Sequence, residues 1–282
     1  MKYSYYPGCT IGTTAVEYGL STDAVCEALG IELIELEDWN CCGASSAHSL
    51  NHELALALPA RNVALAQTAE LDTIVPCPAC YQHSLAADKR FHEDEGWRAE
   101  TEELLGFEYT GQARPRHLLE VLGVDLSADA LAAKVAKPLR GLKVACYYGC
   151  ALVRHPKVTQ LDEPENPQYL DRLMSALGAT PVDWSFKTDC CGADLALTHG
   201  NAVVKLVNKI VGMAQEAGAQ CLVCSCGLCQ INLEMRQDVD ALGLPVFYFT
   251  ELMGIAFGLA GAQWWSKHMI SPSTLLDSLT LQ

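Results

Sequence analysis

One arrangement of cysteines occurs twice in this chain, and it constrains the fold more than any other feature. The first copy is Cys9, then Cys41-Cys42-Gly43, then Cys77-Pro78-Ala79-Cys80. The second is Cys150, then Cys190-Cys191-Gly192, then Cys226-Gly227-Leu228-Cys229. The step from the second cysteine of the vicinal pair to the CxxC is 35 residues in both copies. The lead-in differs, 32 residues from Cys9 to Cys41 against 40 from Cys150 to Cys190. Ten of the 14 cysteines thus fall into two sets of five, and the 282 residues read as two similar halves. With 50% hydrophobic residues, each half can bury a core of its own. The expected organisation is a first cysteine-rich domain over 1–112, a linker over 113–140, and a second such domain with a C-terminal extension over 141–282.

The local pattern around each cysteine group is the same. Residues 2–6 read as a strand that ends at Pro7-Gly8-Cys9, and 13–29 as a helix closed by Gly30. A strand over 31–36 leads to the vicinal pair. A long helix over 44–70, broken near Pro59, follows. A short strand over 73–75 delivers Cys77, and the next helix carries Cys80. The second half repeats this with strands over 142–148, 181–184 and 221–224 and helices over 169–177 and 194–217. Between the halves, 114–122 reads as an amphipathic helix, and the tail 245–282 has no evident counterpart in the first half. The fold class expected is α/β, two halves related by pseudo-twofold symmetry, each a small, mainly parallel sheet flanked by helices. Every cysteine group then sits where a strand ends and a helix begins. Open α/β sheets bind ligands there, and free helix N–H groups favour anions.

Charge and composition exclude several classes. A net charge of −15 argues against nucleic acid and anionic membrane surfaces, which need a basic face. The longest apolar run, 252–265, is too short for a span of ~20 residues. The N-terminal Met1-Lys2-Tyr3-Ser4-Tyr5-Tyr6 lacks an apolar signal core, so a cytoplasmic location is expected. Cysteines of an unexported chain fit metal binding better than disulfides. The chain has no G-x-G-x-x-G after a strand and no P-loop, so neither NAD nor flavin is expected in it. It also lacks a ferredoxin-type C-x2-C-x2-C-x3-C run.

Five thiols per set are one more than a cubane [4Fe–4S] cluster or tetrahedral zinc takes. Adjacent cysteines cannot easily occupy two corners of a regular cube, but they can serve neighbouring irons of an opened one. The competing readings are zinc in one set and a thioredoxin-like role for Cys77 and Cys80. The latter leaves Cys9, Cys41 and Cys42 unused. Cys26, Cys146, Cys221 and Cys224 fall inside apolar elements and are expected to be packing residues.

The two sets match the pattern C-x31–39-C-C-G-x34–36-C-x-x-C, the CCG domain. Two intact copies in a chain of this length resemble the B-type subunits of heterodisulfide reductase, and the resemblance runs over nearly the whole sequence. It implies two non-cubane [4Fe–4S] clusters, one held by Cys9, Cys41, Cys42, Cys77 and Cys80, the other by Cys150, Cys190, Cys191, Cys226 and Cys229. It implies reduction of the mixed disulfide of coenzyme M and coenzyme B, as in methanogenesis, or of a related disulfide. It also implies two partners, a ferredoxin-like [4Fe–4S] subunit of the C type and a flavin-containing subunit of the A type. A disulfide needs two electrons, which suits two centres across one cleft. The alternative is a CCG-domain electron-transfer subunit of a lactate, glycolate or succinate-type dehydrogenase. Such chains often add a ferredoxin domain or lack a ligand, and this one does neither.

Outside the cysteines, Arg154 and His155 follow Cys150 closely and are the candidates for meeting an anionic substrate or supplying a proton. His48, His83 and His199 lie near the motifs but read as ordinary helix residues. Trp264-Trp265 in the tail is expected to make a buried contact.

Overall fold

The computed structural model describes residues 1–44, 47–259 and 263–281. Two four-stranded parallel sheets organise the chain. The first runs β2(Glu32–Glu35)-β1(Lys2–Tyr5)-β3(Thr73–Val75)-β4(Pro115–His117). The second runs β6(Thr180–Pro181)-β5(Lys143–Tyr147)-β7(Cys221–Cys224)-β8(Val246–Tyr248). The order is the same in both, and every pairing is parallel. Buried Ile74, Val75, Val144, Ala145, Leu222 and Val223 make β3, β5 and β7 largely apolar, as sheets covered by helices on both faces require.

Strand order decides where the cysteines meet. From the central pair the chain leaves in opposite directions, β1 towards β2 and β3 towards β4. The crevice at their carboxyl ends is the switch point where open α/β sheets hold ligands. Cys9 follows β1 and Cys77 follows β3, so both stand at that crevice, and Cys150 and Cys226 repeat this after β5 and β7.

Three local expectations are corrected. The long helix over 44–70 breaks at Asn51, not at Pro59. The Asn51 side chain accepts the Leu54 N–H at 3.1 Å and starts a helix, His52–Ala69, that runs through Pro59. Residues 114–122 do not form one helix. Pro115–His117 pairs with β3 as an edge strand, where a proline is tolerated, and a helical turn begins only at Leu118. The tail does have a first-half counterpart at its start. β8 corresponds to β4, and Tyr248-Phe249-Thr250-Glu251-Leu252-Met253-Gly254 lies over the equivalent of His117-Leu118-Leu119-Glu120-Val121-Leu122-Gly123.

The halves share one hydrophobic core. Helix Phe249–Ala256 from the tail lies against helix Val16–Ala28 of the first half. Ser21 and Thr250 hydroxyls hydrogen-bond at 2.7 Å, and the rings of Tyr18 and Tyr248 stack at 4.4 Å. Trp264 is fully buried inside the chain, with its ring against Gly254, where no Cβ would fit.

Candidate metal centres

All five cysteines of the first set line one cavity of about 490 Å³, and all five of the second line an adjoining, tighter one of about 60 Å³. Ala79, Ala193, Asp194 and Leu228 belong to both walls. Within each set the sulfurs are grouped in the same way. The first cysteine pairs with the first of the vicinal pair, Cys9 with Cys41 at 3.8 Å and Cys150 with Cys190 by a thiol hydrogen bond. The second of the vicinal pair meets the last of the CxxC, Cys42 with Cys80 at 3.3 Å and Cys191 with Cys229 at 3.6 Å. Cys77 and Cys226 lie close enough to interact across the halves, and each also interacts with the second cysteine of its own CxxC, Cys80 and Cys229. Depth follows the same division. Cys9, Cys41 and Cys190 are exposed, Cys150 is half-buried, and the other six are buried.

The local sequence produces this geometry. Gly8 and Gly149 have φ of +71° and +67° and turn the chain at the strand ends. A Cβ on Gly8 would stand 3.0 Å from Cys80 Sγ, so only glycine leaves the sulfur its place. Two buried tyrosines hold the vicinal pairs. Tyr6 donates its hydroxyl proton to the Asn40 carbonyl at 2.8 Å, and Tyr147 does the same to Asp189 at 2.6 Å. Burial first, and then the neighbouring cysteines, hold both phenols protonated, well above the ordinary tyrosine value. Asn62 adds a bond to the Asn40 carbonyl at 2.7 Å, and Asn232 donates to the Cys191 carbonyl at 2.7 Å.

The donor set fits metal. Two thiolates on one tetrahedral metal at bond lengths of ~2.3 Å stand roughly 3.8 Å apart. The observed sulfur pairs lie near that separation. Among the described residues, no three metal-binding side chains close on a single ion. Each set is a chain of close thiols, five to a cavity, which suits a multinuclear core better than one zinc ion. The bonds between thiols lower one partner and raise the other, so Cys42, Cys77, Cys190 and Cys191 fall while Cys41, Cys80, Cys150, Cys226 and Cys229 rise. Hydrogen bonds from Cys41 and Cys80 bring Cys42 down to about 4, and those from Cys150 and the Gly192 N–H bring Cys190 down to about 6. Backbone N–H groups of Gly43, Gly192 and Cys229 point at the sulfurs of Cys41, Cys190 and Cys226, at 3.5, 3.3 and 3.4 Å.

The other four cysteines are fully buried and line neither cavity; burial pushes their thiols up, Cys26 to about 12. Arg154 and His155 lie one turn beyond Cys150. The Arg154 guanidinium turns to Thr188 Oγ1 at 3.3 Å and Glu165 at 3.6 Å, and His155 is exposed. Neither lines a cysteine cavity. His83 lies on helix Pro78–Glu93, and His199 binds Thr198 just before helix Gly200–Glu216. The side chain of His48 is outside the described residues. Sequence reasoning missed Tyr6, Tyr147 and Asn232. The two tyrosines carried a usable signal, since each stands three residues before the first cysteine of its set.

Comparison with known proteins agrees with this geometry. The cysteine-rich CCG domain matches twice, at residues 3–83 and 144–234. The chain belongs to this cysteine-rich family, within the group typified by the B-type subunits of heterodisulfide reductase. It is 31% identical over 98% of its length to the 8-methylmenaquinol:fumarate reductase membrane anchor subunit of Wolinella succinogenes, covering 99% of that protein. It is 30% identical over 92% of its length to the B-type subunit of a ferredoxin/F420H2-dependent CoB-CoM heterodisulfide reductase from Methanosarcina acetivorans, covering 90% of it. A crystal structure of a hypothetical protein from Helicobacter pylori has the same fold, with a TM-score of 0.72 at 13% identity over 93% of this chain, which spans half of that longer one.

Proposed function

We propose that this chain is the iron–sulfur subunit of a heterodisulfide reductase-like complex and reduces an organic disulfide by two electrons. The observation that carries the reading is that each half gathers five thiols of one repeated pattern around one cavity, one more than a cubane or a zinc ion takes. Five thiols with an adjacent pair among them support an opened, non-cubane [4Fe–4S] core, in which neighbouring irons can take adjacent cysteines. When bound, the two clusters would supply one electron each to the substrate disulfide. Cys9, Cys41, Cys42, Cys77 and Cys80 would hold one, and Cys150, Cys190, Cys191, Cys226 and Cys229 the other. The chain's own part is to aim backbone N–H groups at the sulfurs of Cys41, Cys190 and Cys226, to fix the vicinal pairs through Tyr6 and Tyr147, and to set both centres against shared wall residues. Electrons arrive from a ferredoxin-like subunit and a flavoprotein subunit, and the work is done in the cytoplasm.

Anaerobically purified protein should carry about eight irons and matching sulfide per chain. Two zinc ions and no iron would sink the reading. A second reading, an electron-transfer subunit of a fumarate reductase-type enzyme, is favoured by the 8-methylmenaquinol:fumarate reductase relative. That relative is named a membrane anchor. Among the described residues of this chain, no helix is long and apolar enough to cross a membrane. The two readings part on whether added thiols or disulfides perturb the electron paramagnetic resonance of the loaded protein.

A further inference from the structure

The two cysteine sets are alike, but the chain holds them differently. Three residues before the vicinal pair stands Asp38 in the first half and Lys187 in the second. The Asp38 side chain is 83% exposed and meets Arg61 at the surface, whereas that of Lys187 is only 6% exposed. The Lys187 ammonium donates to Asp171 Oδ1 at 2.8 Å and to the Pro167 carbonyl at 3.3 Å. Asp171 Oδ2 accepts the Tyr148 hydroxyl proton at 2.7 Å, and the Tyr148 oxygen accepts the Leu170 and Asp171 N–H groups at 2.8 and 3.1 Å. The Lys187 carbonyl accepts the N–H groups of Tyr148 and Gly149 at 2.8 and 3.1 Å. One buried lysine thus ties the turn that presents Cys150 to the turn that presents Cys190 and Cys191, and both to helix Tyr169–Ala176.

The first half is not tied in this way. Tyr6 and Tyr147 anchor the two vicinal pairs alike, so the difference lies in the turn ahead of the first cysteine. Pro7 stands where the second half has Tyr148, and it has neither an N–H nor a hydroxyl to give. The Asp38 carbonyl, in the place of the Lys187 carbonyl, accepts the exposed Arg61 instead. Lys187 and Asp171 line neither cysteine cavity, while Tyr148 lines the second, so the pair acts on the backbone that carries the ligands. A buried ion pair adds little net stability, because desolvation offsets its attraction, but it restricts the chain to the arrangement that satisfies both charges. We propose that Lys187 and Asp171 are positioning residues that set the second cysteine set in place before metal arrives, so that the second centre fills first and empties last. A site formed in advance does not pay the ordering of its ligands at the moment of binding. The order of filling rests on the iron–sulfur reading; the rigidity of the second site does not.

The test follows the order of loss in iron-loaded, full-length protein under anaerobic conditions. A ferrous chelator is added, free thiols are alkylated at intervals, and peptide mass spectrometry reads Cys41 and Cys190, corresponding cysteines that are both exposed. In wild-type protein Cys41 should become reactive about tenfold sooner than Cys190, the lower end of what one supporting partner contributes to metal retention. During reloading with ferrous iron and sulfide, Cys190 should be protected first. Lys187→Met should close the gap by speeding Cys190 alone, and Asp171→Asn, which keeps a hydrogen-bonding group without the charge, should fall between. Hydrogen exchange of the metal-free, full-length chain gives a readout without iron. The amides of Tyr148, Gly149, Leu170 and Asp171 should be protected, and Lys187→Met should release them. Loss of both centres together, or of the second one first, in wild-type protein would overturn the order whether or not a variant folds. Unprotected amides at those four positions would overturn the rigid site. Should the chain hold no iron, the iron–sulfur reading fails, and exchange in the metal-free chain alone decides the role of Lys187.

Discussion

The buried His268 cluster offers a quantitative test of how the halves are joined. His268 Nδ1 lies 2.9 Å from Glu234 and Nε2 lies 3.1 Å from Glu251, with all three side chains out of contact with solvent. Glu17 of the first half faces the same cluster, and burial, with the charge of Glu251, raises its carboxyl above the ordinary value. Burial by itself would lower the imidazole, but the carboxylates of Glu251 and Glu234 outweigh it and raise His268 from 6.5 to about 10. The cluster therefore contains an imidazolium between two carboxylates. The Glu234 carboxylate also accepts the Val246 and Met269 N–H groups, and Glu251 that of Tyr248, so the charges hold the start of helix Phe249–Ala256.

Replacing His268 by Gln removes the cation and leaves two buried carboxylates uncompensated. Breaking a buried pair in this way costs about 3–5 kcal/mol, and a shift of this size corresponds to roughly 5 kcal/mol of pairing. The melting temperature should fall by on the order of 10 °C. The pH dependence has a fixed sign. The folded state holds the His268 proton more tightly than the unfolded chain, so this stability is complete below pH 6.5. It is lost as pH rises through about 10. Wild-type protein should lose stability across that window, and His268→Gln should not show this component. Thermal and denaturant unfolding of anaerobic protein at pH 6, 8 and 9.5 measures both effects, with exposed His52→Gln as control. A His268→Gln protein within about 1 kcal/mol of wild type, or wild-type stability rising from pH 6 to 9.5, would refute the charged-cluster argument.

Three further outcomes follow from the geometry. Cys42→Ser and Cys191→Ser should each lose about half the iron and abolish disulfide cleavage, because the vicinal partner cannot take both iron positions; Cys26→Ser should keep both, as iron analysis and a rate with an artificial donor will show. Gly8→Ala should cost at least about 1 kcal/mol from its positive φ alone, and it should lower iron occupancy of the first centre more than of the second, since the new methyl meets Cys80 Sγ. The isolated chain should turn over little with NADH or reduced ferredoxin until a ferredoxin-like subunit and a flavoprotein are added, and full activity with NADH alone would contradict the assignment of partners.

The cysteine positions and the two-sheet architecture were legible because they rest on short-range patterns. Apolar strand runs, glycine at strand ends and repeated spacing all survive as text. The break at Asn51 is legible in principle, since asparagine before a helical run is a strong N-cap, whereas Pro59, the expected breaker, lies within the helix that Asn51 starts. The correspondence of β8 with β4 was harder to see. His117-Leu118-Leu119-Glu120 and Tyr248-Phe249-Thr250-Glu251 share only Glu, the later Gly and a hydrophobic pattern, and the two positions play different parts. His117 sits buried with its imidazole against the Pro76 carbonyl at 3.0 Å, and its basicity is lowered to about 4 by burial, whereas Tyr248 stacks on Tyr18. That Arg236 lines the first cavity could not be read from the sequence. Nothing in the text separates an arginine at a helix end from one whose side chain reaches a cavity, and only the packing of one half against the other does so.

That packing also bears on why both copies of the motif occupy one chain. The wall of the first cavity is supplied largely by residues 193–198 and by helix Gly227–Arg236, which belong to the second half. Gly227 sits so close to Ala15 and Thr10 that a Cβ there would collide with both. Cys77 and Cys226, the leading cysteines of the two CxxC motifs, lie close enough to interact across this contact, so the two cysteine sets adjoin there. A first half on its own would leave the cavity open on the side that holds Leu228, Ile231 and Arg236. It would also expose the face of helix Val16–Ala28 that buries Tyr18 and Ser21 against the tail. In the proposed reaction each of two centres would serve one sulfur of the substrate, which needs the two held at a fixed separation. Covalent linkage of the halves, one shared core and the buried His268 cluster supply that rigidity, and association of two separate domains would have to recover it at every encounter.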